Sequence, residues 1–188
     1  HEYTHGLVDE IITIYFPYWG ETGNMNEGFA DYFSATINNN SCLAEGFIIG
    51  GTCLRQLNNT KRYPEDYDPE PHGLIFQGAL WDLRELLGKD LTDNLVVSAM
   101  RLQPADFTDY LEDILIADDD NGDLEDLTPN RTEICKAFYK NHGIYSDYCI
   151  KGTLKGTVPM NNGTPFYTLD QNPKECGFLI ENDTCTQT

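Results

Sequence analysis

Apolar residues recur at helical spacing through most of the chain. Between positions 1 and 15 they fall at Leu7, Val8, Ile11, Ile12 and Ile14, which predicts a helix that buries one face and carries His1, His5 and Asp9 along another. Turn formers at Pro17, Gly20 and Gly23 end it, and residues 24 to 37 read as a second helix. The apolar run from Leu74 to Leu83 contains the small pair Gly78 and Ala79, which predicts close packing against the first two helices. Two more helices are expected over 92–102 and 104–116, the latter with Phe107, Tyr110, Leu111, Ile114 and Leu115 on one stripe. Thr128 and Pro129 signal a last helix start, as N-cap and first helical position, and Gly143 supplies a left-handed end near Asn141. His142 suits the negative end of that helix and reads as structural.

Beyond Cys149 the periodicity fades into Gly, Thr, Pro and Asn with short apolar stretches at 153–158 and 178–180. The pattern as a whole predicts a mainly α fold over residues 1–148, then a β-rich tail or the start of an accessory module over 149–188.

Composition narrows the class. Hydrophobic residues make up 40% of the 188 and aromatics 12%, enough for a core, and no apolar run is long enough to span a membrane. A formal charge of -19, from 31 acids against 12 bases, excludes nucleic acid as a natural partner because its phosphates would be repelled. The six cysteines form three local pairs, Cys42 with Cys53, Cys135 with Cys149 and Cys176 with Cys185, none in a Cys-x-x-Cys pattern. Short disulfide loops in an oxidising compartment are expected, and with them a secreted, monomeric protein. The chain opens inside its most informative helix, so the sequence reads as part of a longer secreted precursor.

The chemistry sits at that opening. On a helix, positions i and i+4 share a face, so His1 and His5 of His1-Glu2-Tyr3-Thr4-His5 can offer two imidazole nitrogens to one metal while Glu2 stands beside a vacant position. With four His in the chain, a chance His-Glu-x-x-His has a probability of roughly half a percent. A catalytic zinc takes three protein ligands and keeps one position for water, and Glu27 is the candidate for the third. Asp31, one turn beyond Glu27, can receive the other ring N–H of a ligating histidine, which fixes its tautomer. The metzincin continuation would need Gly at position 8 and His at position 11, where the chain has Val8 and Ile11. A second cation is suggested by the loop from Ala117 to Asp126, where Asp118, Asp120 and Asp123 surround Gly122 and could hold calcium. The loop is not an EF-hand, and a solvated acidic turn is the alternative.

His-Glu-x-x-His followed 21 residues later by Asn-Glu-x-x-x-Asp resembles the gluzincin metallopeptidases of the thermolysin and fungalysin type. The Thr-Pro-Asn helix at 128–130 extends the likeness to about residue 145. The resemblance implies the helical half of a thermolysin-like catalytic domain. His1, His5 and Glu27 would bind zinc, Glu2 would be the general base, and Asp31 would orient His1. It also implies His72 as donor to the oxyanion, although the family separates that His from the following Gly and here His72 and Gly73 adjoin. Asp68, Asp66 or Glu70 would orient His72, and Tyr15 or Tyr18 would help polarise the carbonyl.

The implied activity is endopeptidase cleavage of peptide or protein substrates. A zinc aminopeptidase, or an inactive metal-stabilised binding domain, is the rival expectation. In the family, substrate lies along a strand that precedes the zinc helix, so residues 1–188 alone are expected to be weakly active or inactive.

Overall fold

The computed structural model describes residues 1–13, 17–47, 51, 53–69 and 72–150, together with the backbone of 154–161 and 164–169. Glu125 is described in its backbone alone. The described part is mainly helical. Helix α1 spans Glu2–Ile11, α2 Gly20–Asn38, α3 Leu74–Leu87, α4 Lys89–Met100 and α5 Phe107–Asp118. Helix α6, Arg131–Cys135, continues as a π-helical turn over Lys136–Asn141, and a single turn, α7, spans Asp147–Ile150. Two strands, β1 (Cys42–Leu43) and β2 (Arg55–Gln56), pair antiparallel, and β3 (Leu154–Asn161) and β4 (Thr164–Leu169) pair likewise in the tail read as β-rich. Among the described residues no helix is long and apolar enough to cross a membrane.

Helices α2 and α3 form the centre, with α1 against α2 and α4 against α3. Their shared core is aromatic. Phe76 of α3 meets Phe29 edge-on at 5.0 Å and Tyr110 at 4.8 Å, and stacks on Phe107 at 5.6 Å with the planes 8° apart. All four rings are essentially buried, and removing one such ring costs about 3–5 kcal/mol. The close packing expected of Gly78 against the first two helices is not found: a Cβ there would lie 2.5 Å from the His142 ring, and the close approach to α2 is made by Gly73 instead. Gly73 has a φ of 63° and lies against the α2 backbone, where an added Cβ would come within 2.6 Å of the Gly28 nitrogen.

Helix α1 buries Thr4, Val8 and Ile12, a face spaced by four, while Leu7 is 36% exposed. Ile14 lies outside the described residues. The end of α1 is fastened to the α4–α5 loop by Gln103, whose amide donates to the Ile11 carbonyl at 2.8 Å and accepts from the Thr13 N–H at 2.7 Å.

Two boundaries differ from expectation for tertiary reasons. Helix α2 begins at Gly20, because Asn24 donates to the Gly20 and Asp68 carbonyls while Glu21 accepts from the Tyr63 hydroxyl and the Phe107 N–H. Position 128 is not the cap of the last long helix, since the Thr128 hydroxyl is buried without a hydrogen bond and Asn130 holds the N-cap position. The Asp118 carboxylate holds that start instead, accepting from the Asn130 N–H and side-chain amide at 2.6 Å each.

The helix end behaves as read. Gly143 adopts a φ of 71° and its N–H donates to the Tyr139 carbonyl. His142 is fully buried, with Nδ1 2.7 Å from the Lys61 carbonyl and Nε2 3.3 Å from Asp82. Disulfides Cys42–Cys53 and Cys135–Cys149 are formed, and Cys176 and Cys185 lie outside the described residues.

Candidate metal centre

The buried face of α1 rests on α2, and this turns the adjoining faces of the two helices toward one point. His1 and His5 project from α1, Glu27 and Asp31 from α2. The two Nε2 atoms are 3.2 Å apart, and the Glu27 oxygens stand 3.5 Å from His1 Nε2 and 3.6 Å from His5 Nε2. One ligand atom from each of the three lies within 4.8 Å of the others, and among the described residues no other His/Cys/Asp/Glu group converges in this way.

The outer ring nitrogens define what the inner ones can do. His5 Nδ1 is 2.5 Å from the Asn26 side-chain oxygen, and His1 Nδ1 is 2.8 Å from Asp31 Oδ1. The Asn26 oxygen is an acceptor, which favours the His5 tautomer with its proton on Nδ1, whereas His1 Nδ1 is buried beside Asp31 without a hydrogen bond of good geometry. Two ring nitrogens and a carboxylate then face one another within 3.6 Å, an arrangement that could hold a metal ion.

Burial pushes the Glu27 carboxyl up from its ordinary range, and the Arg55 guanidinium nearby opposes that rise. Burial likewise pushes Asp31 up, against hydrogen bonds from Arg55. Glu2, by contrast, has a side chain 92% exposed, with Oε1 3.9 Å from His1 Nε2.

Two residues of the centre were not foreseen in these roles. Asn26 adjoins Glu27 in the motif, and its contact with His5 had no sequence signal beyond that adjacency. Arg55 comes from β2, and its guanidinium forks onto the buried Asp31 carboxylate, with Nη2 2.6 Å from Oδ1 and Nε on Oδ2. Nη2 is also 3.9 Å from Glu27 Oε2. Its separation of 24 residues from Asp31 follows no helical or strand period, so only the fold reveals it.

The remaining candidates divide. His72 is exposed, but it directly precedes Gly73, which is pinned to α2 beside Glu27, and the Gly73 N–H donates to Asn24 at 3.1 Å. Asp66 is occupied by Lys61 and the Arg62 N–H, Asp68 offers its backbone carbonyl to Asn24, and Glu70 lies outside the described residues. Tyr18 is 56% exposed and donates to Asp9 at 3.2 Å, and Tyr15 lies outside the described residues. Of the suggested calcium ligands, Asp118 is buried and bonded to Asn130, whereas Asp120 and Asp123 are exposed. The turn between them closes on itself through Asn121, which donates to Asp126 at 2.6 Å and accepts from the Asp123 N–H at 2.8 Å.

No protein-family model matches the chain and no curated protein matches it, so the chemistry of the site rests on its own geometry.

Proposed function

We propose that the chain carries the zinc centre of a gluzincin-type metallopeptidase, in the helical half of a thermolysin-like catalytic domain. The observation that supports it most is the convergence of His1 Nε2, His5 Nε2 and Glu27 on one point, with His5 Nδ1 turned to an acceptor and His1 Nδ1 beside Asp31. A structural zinc site is closed by four protein ligands, whereas this one offers three, with Glu2 beside them.

Zinc held there would lower the pKa of a bound water and polarise the scissile carbonyl. Glu2 is placed to accept a proton from that water and to return it to the departing amine. Its exposure leaves the carboxylate free to swing between those two tasks. Asn26 holds the His5 imidazole in one tautomer, and Asp31, 2.8 Å from His1 Nδ1, is placed to do the same for His1 once a metal draws its Nε2 inward. His72 is the candidate donor to the oxyanion, carried by a loop that Gly73 fixes next to Glu27. The substrate class is peptide or protein, and the disulfides suit a secreted enzyme.

The test is metal content and metal-dependent cleavage together. After dialysis against zinc and removal of excess, the chain should retain one zinc, and in the full-length enzyme that contains it cleavage of casein or of a peptide with blocked ends should stop with a chelator and return with zinc. Absence of stoichiometric zinc would end this reading. Cleavage restricted to free N-termini would move it to an aminopeptidase, and zinc without any cleavage to a metal-stabilised binding domain.

A further inference from the structure

We propose that Arg55 is a positioning residue of the metal centre, setting the orientation of His1 and Glu27 through its grip on Asp31; the proposal rests on the metal-centre reading above. The Asp31 carboxylate is fully buried and has two neighbours, His1 on one side and the Arg55 guanidinium on the other. Oδ1 lies 2.6 Å from Arg55 Nη2 and 2.8 Å from the buried His1 Nδ1, so a turn of this carboxylate would press on the His1 ring or release it. The same Nη2 lies 3.9 Å from Glu27 Oε2, the oxygen nearer to His1 Nε2. One guanidinium therefore reaches a ligand directly and the partner of a second ligand.

The backbone that delivers Arg55 is fixed on both sides. Position 55 pairs with Leu43 in the short ladder that the Cys42–Cys53 disulfide closes. Two residues on, Leu57 is buried with Ala35 and Trp81, and its N–H donates to the Ser41 carbonyl at 2.9 Å. A solvated surface arginine needs no such mounting.

Two effects of Arg55 oppose each other. Its positive charge repels an incoming dication, while its fork holds the carboxylates in place. The repulsion acts through space at a side chain 25% exposed to water, which screens it, whereas the fork acts by direct contact on a carboxylate with no water access. Orientation therefore outweighs repulsion, and loss of Arg55 weakens metal binding. Lysine keeps the charge but lacks the planar pair of donors, so it restores only part of the effect.

The experiment measures zinc affinity of the chain by competition with a chromophoric chelator, and the visible spectrum of the cobalt(II)-substituted protein. It compares wild type, Arg55→Met, Arg55→Lys, Asp31→Asn and the Met/Asn double variant. Arg55→Met should weaken zinc about 10–100-fold and alter the cobalt bands, with Arg55→Lys in between. In the Asp31→Asn background the Met substitution should add less than about twofold, because the contact it acts through is already gone. Zinc bound by Arg55→Met as tightly as by wild type, or effects that multiply in the double variant, would overturn the positioning role. Should Arg55→Met fail to fold, Arg55→Lys decides alone, since wild-type affinity and spectrum in that variant would equally overturn it. Wild-type protein that takes up no zinc removes the centre itself, a different result from zinc-competent wild type with indifferent variants.

Discussion

Gly73 packs its backbone onto that of Gly28, and a Cβ at position 73 would lie 2.6 Å from the Gly28 nitrogen and 3.0 Å from its Cα. Gly28 directly follows Glu27, the proposed third ligand, so this contact sets how closely the start of α3 approaches the proposed metal centre. Gly73→Ala must strain a φ of 63° and push α2 away at the same time. A loss of about 1–3 kcal/mol in urea unfolding is expected, together with weaker zinc binding in chelator competition. Unchanged zinc affinity in the destabilised variant would show that the contact supports the fold without setting the ligand.

Glu2 touches the metal ligands only from 3.9 Å and is open to solvent, so its removal should not disturb them. Glu2→Gln is expected to keep one zinc and the wild-type melting temperature while turnover of a blocked peptide falls about 10²–10⁴-fold. Metal analysis and steady-state kinetics on the same preparation check it. Proteolysis at the wild-type rate would remove the assigned base.

Asp118 spends its carboxylate on the start of α6, accepting from Asn130 twice. Asp118→Ala leaves those donors without an acceptor in a part-buried setting, and should cost about 1–3 kcal/mol with or without calcium. Thermal unfolding in excess calcium and in excess chelator distinguishes the two roles. A destabilisation seen in calcium alone would favour an ion at the acidic loop over the hydrogen-bonded helix start.

Asp113 titrates abnormally. Desolvation, then the charges of Asp109 and Glu112, raise its pKa to about 6. The folded state thus holds a proton that the unfolded chain releases near pH 4, and stability falls as pH rises from about 4 to about 6, then levels. Asp113→Asn removes that fall. Because the side chain is partly exposed, the gain at pH 7 should be only about 0.5–1 kcal/mol and should vanish below pH 4. Paired urea titrations at pH 4 and pH 7 measure it, and equal effects at both values would count against the shift.

The two halves of the candidate metal group were legible because helix geometry relates the members of each, whereas their meeting depends on the packing of α1 on α2. His1 to His5 and Glu27 to Asp31 are each four residues apart, so their faces follow from the local backbone without knowledge of the fold. Arg55 was not legible, since its approach to Asp31 depends on a two-residue ladder and a disulfide loop. The helix starts at Gly20 and Arg131 were missed for a related reason. Side chains distant in sequence, Glu21 toward Phe107 and Asp118 toward Asn130, override the local turn and cap signals there. The core stripe of α5 was read correctly, with Phe107, Tyr110, Leu111, Ile114 and Leu115 all buried.

The junction at His142 and Gly143 reaches back across the chain. Lys61 and Tyr63 are bonded to His142, and the Gly143 backbone leaves no room for a side chain beside the Tyr63 carbonyl. Every proposed zinc ligand is made within the first 27 residues, but the segment leading toward His72 is not tied down until residue 143 exists. During synthesis the ribosome releases the ligands more than a hundred residues before their surroundings are complete. The proposed ligands therefore leave the ribosome well before the loop proposed to act beside them can be fixed, and the order of synthesis itself delays the assembled site.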